Sequence, residues 1–177
     1  MSLEQYQLTD AKLVNHLFDL IEDGQKLEGI TVTQLCLKSG ISRKTFYRHY
    51  PSTQKVIESF LNDSANDFIE ILRETPRLCL NDFIDAFFKF WLGNKNRRQV
   101  LQNYELFSYT VHRLIAHKLL DIINLTESSD WQRLTLNQQS IFFEFCAGGL
   151  WSVLNTQSMT ISDFDTDLIT SLFQPNN

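Results

Sequence analysis

The segment from residue 30 to residue 57, ITVTQLCLKSGISRKTFYRHYPSTQKVI, most constrains the fold of this 177-residue chain. The Thr-x-x-Gln pattern that begins at Thr31 is a capping box, which starts a helix. Gly40 can adopt the left-handed conformation that ends such a helix in a sharp turn. Ser42 is a favourable N-cap for a second helix over Arg43–His49. The pattern predicts two short helices joined by a four-residue turn, a helix-turn-helix.

Apolar residues are expected to hold these two helices in place. Leu35 and Leu37 supply apolar contacts on the first helix, and Phe46 and Tyr50 form the inward stripe of the second. The other side chains of the second helix are mostly hydrogen-bond donors that can reach phosphates or base edges from a DNA major groove. These residues are Arg43, Lys44, Thr45, Tyr47, Arg48 and His49.

Charge in the same region has one sign. Residues 29–57 contain five basic residues and no Asp or Glu. The whole chain has a net charge of −5, so the residues outside this region carry −10. A basic patch on an otherwise acidic protein is the electrostatic footprint of nucleic-acid binding. The alternative is a solvated helical hairpin in which the charges cluster by chance.

The turn, core and polar residues follow one another as Thr31-Val32, Leu35, Ser39-Gly40-Ile41-Ser42, Phe46-Tyr47-Arg48-His49-Tyr50-Pro51-Ser52 and Val56. This order resembles the TetR family of bacterial transcriptional regulators over about fifty N-terminal residues. At Thr53 that family usually carries a lysine that contacts DNA phosphate, and Lys55 is the nearest substitute here.

The charge, the helix pattern and the resemblance together predict a sequence-specific DNA-binding transcriptional regulator. We expect a ligand-responsive repressor that binds a palindromic operator in double-stranded DNA as a homodimer. Arg43, Lys44 and Thr45 are expected to contact base edges, and Arg48 to contact either bases or phosphates. The residues expected to contact phosphates, which position the dimer without specifying sequence, are Thr31, Thr33, Ser42, Tyr47, His49 and Lys55.

Helical spacing of apolar residues continues along the chain, without the alternating pattern of β-strands. We predict an all-α fold of about nine helices. Its N-terminal three-helix unit, over residues 1–51, is the helix-turn-helix DNA-binding domain, and residues 52–177 form a helical ligand-binding and dimerisation domain. Thr9 or Asp10 is expected to cap the first helix, so that residues 1–8 form a short arm.

A helix from Ser52 to about Arg73 is predicted to link the two domains. Its apolar stripe includes Phe68, Ile71 and Leu72. Further helices are expected over residues 104–125 and after residue 162.

Aromatic residues are dense between residues 83 and 91. With later aromatic residues and a histidine, they would suit an apolar ligand pocket with a few polar groups. The family resemblance implies such a pocket for an unknown small-molecule effector, and the alternative is plain hydrophobic core. The candidate ligand-binding residues are Phe87, Trp91, Tyr104, Phe107, His112 and Trp151.

The apolar segment over residues 136–155 contains Ala147-Gly148-Gly149. Each glycine inside a helix costs up to ~1 kcal/mol relative to alanine, and close approach of a neighbouring helix would offset this cost. We expect the last two helices, about residues 136–173, to form the homodimer surface, as the resemblance implies; the alternative is a glycine-tolerant core helix. The FFEFCAGGLW run also resembles the C-terminal domain of the branch that contains dihydroxyacetone-kinase regulators.

Signatures of other protein classes are missing from the sequence. There is no nucleophile elbow, phosphate-binding glycine loop or H-E-x-x-H motif, so we expect neither an enzyme nor a bound metal or cofactor. No apolar run reaches the ~18–20 residues of a membrane span, and the N-terminus has no signal-peptide core, which predicts a cytoplasmic protein. Two alternatives remain: a coactivator on the same scaffold that acts through a protein partner, and a helical enzyme or small-molecule carrier.

Overall fold

The computed structural model describes residues 3–75, 80–103, 106, 108 and 134–155. These residues form seven α-helices and a single turn of 3-10 helix, with no strand among them, which confirms the all-α prediction. Apart from residues 106 and 108, which are helical, the helix predicted over residues 104–125 lies outside the described residues, as does the helix predicted after residue 162. The helices are α1 (Leu3–Glu22), α2 (Val32–Ser39), α3 (Arg43–His49), α4 (Thr53–Arg73), α5 (Leu80–Leu92), α6 (Lys95–Gln102) and α7 (Leu136–Asn155).

The chain divides into two compact units, Met1–Asp63 (unit 1) and Ser64–Asn177 (unit 2), and the division falls within α4. The domain boundary predicted between residues 51 and 52 stays a prediction. Among the described helices, none combines the length and the apolar character that crossing a bilayer requires.

In unit 1, α1 supplies much of the core and α2 packs against both α1 and α3. Leu13, Leu17 and Phe18 of α1 are fully buried because their spacing of four and one places them on one helical face. The Phe18 ring meets the Phe60 ring of α4 edge-on, with 4.9 Å between the ring centroids. This packing gives α2 and α3 a fixed support.

The predicted start of α1 was wrong. Among the described residues the helix already begins at Leu3, so the segment expected to be an arm is helical. The Thr9 hydroxyl donates a hydrogen bond to the carbonyl of Gln5 at 2.8 Å, a bond that threonine makes inside a helix and not at its cap. The Asp10 carboxylate does not cap the helix either, because it accepts a hydrogen bond from α3, described below.

The turn between α2 and α3 has the predicted caps and the predicted left-handed glycine, but three residues separate the two helices instead of the predicted four. Thr31 and Gln34 form a capping box at the start of α2, and Ser42 caps α3 by accepting a hydrogen bond from the backbone N–H of Thr45 at 3.1 Å. Gly40, at φ 66° and ψ 23°, holds the left-handed conformation that ends α2. Both helices therefore have their end groups satisfied on the two sides of the turn.

The prediction that Leu37 packs inward was wrong, because its side chain is 79% exposed. Helix α2 buries Leu35, Cys36 and Ser39. At about 100° per residue, Leu37 lies about 200° around the helix from Leu35 and faces away from that core. The α2 surface therefore carries an exposed apolar side chain.

Unit 2 has a core that is rich in aromatic residues. The Phe68 ring at the end of α4 lies 5.2 Å from the Phe90 ring of α5, centroid to centroid. The prediction that Ile71 belongs to the buried stripe of α4 was wrong. Ile71 is 40% exposed, because Phe68, Ile69 and Leu72 define the buried face. The buried core residues are Phe68, Ile69, Leu72, Ile84, Phe87, Phe88, Phe90, Trp91, Leu150 and Trp151.

We expect Gly40→Ala to lower the free energy of unfolding by about 1–2 kcal/mol, since an L side chain in the left-handed region costs about that much. A Cβ at Gly40 meets no atom within 4 Å, so the cost is conformational and not steric. Urea unfolding followed by circular dichroism measures it.

Gly29→Ala is the matched control, because a Cβ there also meets nothing within 4 Å and the backbone φ is outside the left-handed region. We expect this variant to unfold at an unchanged or slightly higher urea concentration. Equal stability of the two variants would contradict the role assigned to Gly40.

Candidate nucleic-acid interface

The outer face of α3 presents long polar side chains to solvent. Arg43, Lys44, Tyr47 and Arg48 are exposed, and Tyr47 keeps 51% of its surface open. The Arg43 guanidinium lies 5.9 Å from the centroid of the Tyr47 ring, within the range of a cation–π interaction. Phe46 and Tyr50 are buried on the opposite face, so one face of this two-turn helix is fixed and the other is open.

Several predicted contact residues also stabilise the turn. The Thr31 hydroxyl donates to the Gln34 side-chain oxygen at 2.9 Å, and the Ser42 and Thr45 hydroxyl oxygens lie 2.9 Å apart. These hydroxyls order the ends of α2 and α3. Thr33 is exposed on the first turn of α2. The predicted residues from Thr31 to Arg48 therefore lie on one continuous helix-turn-helix segment.

The structure does not support His49 as a phosphate contact. Its side chain has no exposed surface, its Nδ1 lies 2.9 Å from the Asp10 Oδ1 of α1, and its ring stacks on Tyr6 at 4.0 Å between centroids. The Nε2 atom is buried and has no hydrogen-bond partner among the described residues. We therefore treat His49 as a residue that holds the end of α3 against α1.

Tyr50, the residue after α3, joins Tyr6, Asp10 and His49 in one cluster of side chains. Its phenol lies near the side chains of Ser59 and Asp10, and both side chains affect its pKa. Burial, the largest effect, raises the pKa of Tyr50 well above its ordinary value, and the negative charge of Asp10 raises it further, so the phenol stays protonated. Asp10 thus contacts two successive residues at the C-terminal end of α3.

No local sequence pattern indicates this cluster, because Asp10 and His49 are 39 positions apart. An aspartate within a predicted cap position and a histidine within a basic helix each had a simpler local explanation. Only the packing of α1 against the helix-turn-helix brings the two side chains together.

Acidic residues from outside the basic segment pair with two of its five basic residues. Lys38 lies 2.5 Å from the carboxylate of Asp23, and Lys55 forms an ion pair with Glu58, one residue beyond the segment. The Lys55 pair competes with its predicted phosphate contact. At Thr53 the hydroxyl donates to the backbone carbonyl of Ile30 at 3.1 Å, which ties the start of α4 to the segment that precedes α2.

The described cysteines are buried free thiols. Burial raises the pKa of Cys36 in α2, and the nearby positive charge of Arg43 opposes that shift in part. Burial alone raises the pKa of Cys146 in α7 to about 11. Both thiols therefore stay protonated near neutral pH and behave as small apolar side chains.

The three described candidates for ligand binding are core residues. Phe87, Trp91 and Trp151 are each at most 5% exposed and belong to the aromatic core of unit 2. The other candidates, Tyr104, Phe107 and His112, lie outside the described residues. Within the part of the chain that the structure describes, no group of three metal-ligating side chains comes together.

The described residues define an all-helical protein with a helix-turn-helix in its first unit. No protein-family model matches the chain, and no curated protein matches it. Among solved structures, it is similar to Lin0861 from Listeria innocua, a crystal structure at 2.8 Å, with a TM-score of 0.70. The match covers 98% of this chain and 92% of that one at 19% sequence identity, and it shows a shared fold.

We expect Asp10→Ala to destabilise unit 1 by about 1–3 kcal/mol, since it leaves a buried hydrogen-bonding group of His49 without its partner. Hydrogen–deuterium exchange at the amides of α3 measures this cost locally, whatever the stability of unit 2.

Asp23→Ala is the control, because it also removes an aspartate that pairs with a basic group on another element of unit 1. That pair is solvent-exposed, with 62% of the Asp23 side chain open, so its loss should cost no more than ~1 kcal/mol. The interpretation of His49 fails if the two variants exchange at the same rate.

Proposed function

We propose that this protein is a sequence-specific DNA-binding transcriptional regulator of the TetR type, which acts as a repressor. Two copies of α3, one from each subunit of a homodimer, would enter successive major grooves ~34–36 Å apart on a palindromic operator. Arg43, Lys44 and Thr45 would contact base edges. Phosphate contacts would come from Thr31, Thr33, Ser42, Tyr47 and Lys55, while Arg48 serves either group.

The observation that carries the proposal is the exposed cationic face of α3. Arg43, Lys44 and Arg48 are exposed on one short helix, and no acidic residue occurs within the helix-turn-helix. A positive surface of this kind is attracted to duplex DNA whatever its sequence. Because α3 is anchored at its N-terminal cap and at His49, its side chains approach the groove from a fixed backbone, which favours sequence discrimination.

The proposed dimer contact is the exposed face of α7. Ile141 and Phe145 lie one turn apart, and Phe145 is 65% exposed. Gly148 and Gly149 follow on the exposed surface of the same helix, where an added Cβ would meet no atom within 4 Å. Bulky apolar side chains beside a flat glycine surface suit a second helix that packs at close range.

An effector would control DNA binding through its differential affinity for two dimer geometries. Helix α4 is the element that carries such a change in this proposal. It begins next to the helix-turn-helix and continues, without interruption, into the aromatic core of unit 2.

One observation favours a second candidate function, a coactivator that acts through a protein partner. Leu37 is a large apolar side chain that is 79% exposed on the helix-turn-helix. Contact with DNA phosphate would not stabilise such a side chain. A protein partner would bury it. Mobility-shift assays discriminate between the two functions, because a coactivator of this kind has no operator of its own.

We expect a mobility-shift assay with DNA fragments from upstream of this gene to reveal a specific site. If about four basic groups per subunit contact phosphate, the logarithm of the affinity should fall with the logarithm of the salt concentration at a slope of about −7. Arg43→Ala should cost about 1–3 kcal/mol of binding free energy and relax the sequence preference at one base pair of each half-site.

Lys26→Ala is the matched control, since Lys26 is an exposed basic residue of unit 1 that precedes the helix-turn-helix. Its affinity and sequence preference should equal those of the natural protein. Affinity that does not depend on salt, or an Arg43→Ala variant with full affinity, would exclude the proposed mode of binding.

If α7 forms the dimer contact, one substitution should change helix stability and dimer affinity in opposite directions. Gly149→Ala should stabilise α7 by up to ~1 kcal/mol through helix propensity, yet it should weaken the dimer, because the new methyl group keeps the partner helix at a distance. Thermal unfolding and sedimentation equilibrium measure the two effects. Gly29→Ala, which adds the same methyl group outside α7 where a Cβ meets no atom within 4 Å, is the control and should not change dimerisation. A Gly149→Ala variant that dimerises with undiminished affinity would rule out this contact.

A further inference from the structure

Unit 2 contains a groove of about 560 Å³ that none of the predicted ligand-binding residues lines. Ile71 of α4 and Thr75, two residues after that helix, form one wall, and Asn94 and Arg97, at the start of α6, form one end. The volume falls within the range of about 300–1,000 Å³ that is usual for small-molecule sites.

Helix α5 forms the long side of the groove. Its lining residues recur at spacings of three and four, so that one stripe of the helix faces the groove. The stripe begins with carboxylates and ends in an aromatic ring and a glycine. It consists of Asp82, Asp85, Ala86, Lys89 and Phe90, and Gly93 continues it just after the helix.

The cationic end of the groove is preorganised. The Arg97 guanidinium stacks on Phe90, with 3.8 Å from its central carbon to the ring centroid, and donates to the Asp67 carboxylate at 2.6 Å. These contacts fix the side chain and leave 20% of it exposed. Burial lowers the pKa of Arg97, an effect that the charge of Asp67 opposes. A fixed guanidinium binds a carboxylate with little loss of side-chain entropy.

The side chains at the acidic end of the groove are less firmly fixed than Arg97. The Asp85 carboxylate pairs with Lys89 at 3.3 Å, and both side chains are about half exposed or more. Exposed pairs of this kind contribute ~0–1 kcal/mol, so an incoming ammonium group can displace Lys89 at little cost. The lining carries two acidic and two basic side chains, which favours a ligand with both charges and no net charge.

The spacing along α5 sets the distance between the two charges of the ligand. The Arg97 guanidinium lies on Phe90, which follows Asp85 by five residues and Asp82 by eight. At ~1.5 Å per residue, the acidic and the cationic ends of the groove therefore lie roughly 7–12 Å apart along the helix. An α-amino acid is too short to span this distance. An extended dipeptide or tripeptide, at ~3.3–3.6 Å per residue, spans it.

We propose that this groove binds a zwitterion whose ammonium group contacts Asp82 and Asp85, whose carboxylate contacts Arg97, and whose apolar middle lies over Ala86 and Ile71. Short apolar peptides and long ω-amino acids share this chemistry. The inference concerns unit 2 alone and does not depend on DNA binding.

Isothermal titration calorimetry and thermal shift on the full chain, without DNA, test the proposal. The probes are leucyl-leucine, 6-aminohexanoate and leucine, with N-acetyl-leucyl-leucine and leucyl-leucine amide as capped controls. We expect leucyl-leucine to bind at least about tenfold more tightly than leucine and than either capped peptide, since each loses one charged contact. If 6-aminohexanoate binds as tightly as leucyl-leucine, the two separated charges are sufficient for recognition. If it binds more weakly, the groove also recognises the peptide part of the ligand.

Variants locate the site. Asp82→Asn combined with Asp85→Asn should weaken leucyl-leucine binding about tenfold or more, and both substitutions are on a partly exposed stripe that should not affect folding. Glu70→Gln, an exposed acidic position of the same unit that does not line the groove, should bind normally. The proposal is overturned if leucyl-leucine does not bind at roughly 10 mM, if leucine or a capped peptide binds equally well, or if the double variant binds like the natural protein.

Discussion

The left-handed residue Gly40 is the constraint on which the helix-turn-helix depends. It ends α2 within one residue, so that α3 can begin at Arg43, after only three residues, and leave in a new direction. The caps at Thr31 and Ser42 then satisfy the backbone groups that so short a pair of helices would otherwise expose. Since α3 has only seven residues, it has little stability as an isolated helix, and the turn, its caps and its buried face together keep it folded.

The charge on this unit is more localised than the sequence suggests. Counting residues 29–57 finds five basic groups and no acidic one, but folding brings Asp23 to Lys38, and Glu58 pairs with Lys55. The unit therefore does not present a uniform basic surface. Its positive potential is concentrated on α3, where Arg43, Lys44 and Arg48 are exposed. A focused field of this kind orients a charged partner as well as attracting it.

Local patterns predicted what local interactions determine. The capping box, the glycine turn and the Ser42 cap all depend on residues three or four apart, and they occur as predicted. The helical class and the extent of α7 also follow from spacing alone. Leu37 was mistaken for core because only the three-dimensional face of α2 decides which of its apolar residues is buried.

Long-range interactions account for the remaining differences. Asp10 has the residue type of a helix cap, and His49 that of a phosphate contact, but the packing of α1 on α3 uses both for one buried hydrogen bond. The aromatic residues Phe87, Trp91 and Trp151 come from different parts of the sequence and belong to one buried core cluster. The groove of unit 2 combines residues from three helices, and no pattern within one helix identifies such a combination.

The cluster of Tyr6, Asp10, His49 and Tyr50 has an evolutionary consequence. Its stacked ring, shared carboxylate and buried imidazole fit one another, so a change at any one position removes support from the others. Selection should accept substitutions at these positions together and reject them singly. In chains that share this fold, residues equivalent to 6, 10 and 49 are thus expected to covary, although the first two lie far outside the helix-turn-helix.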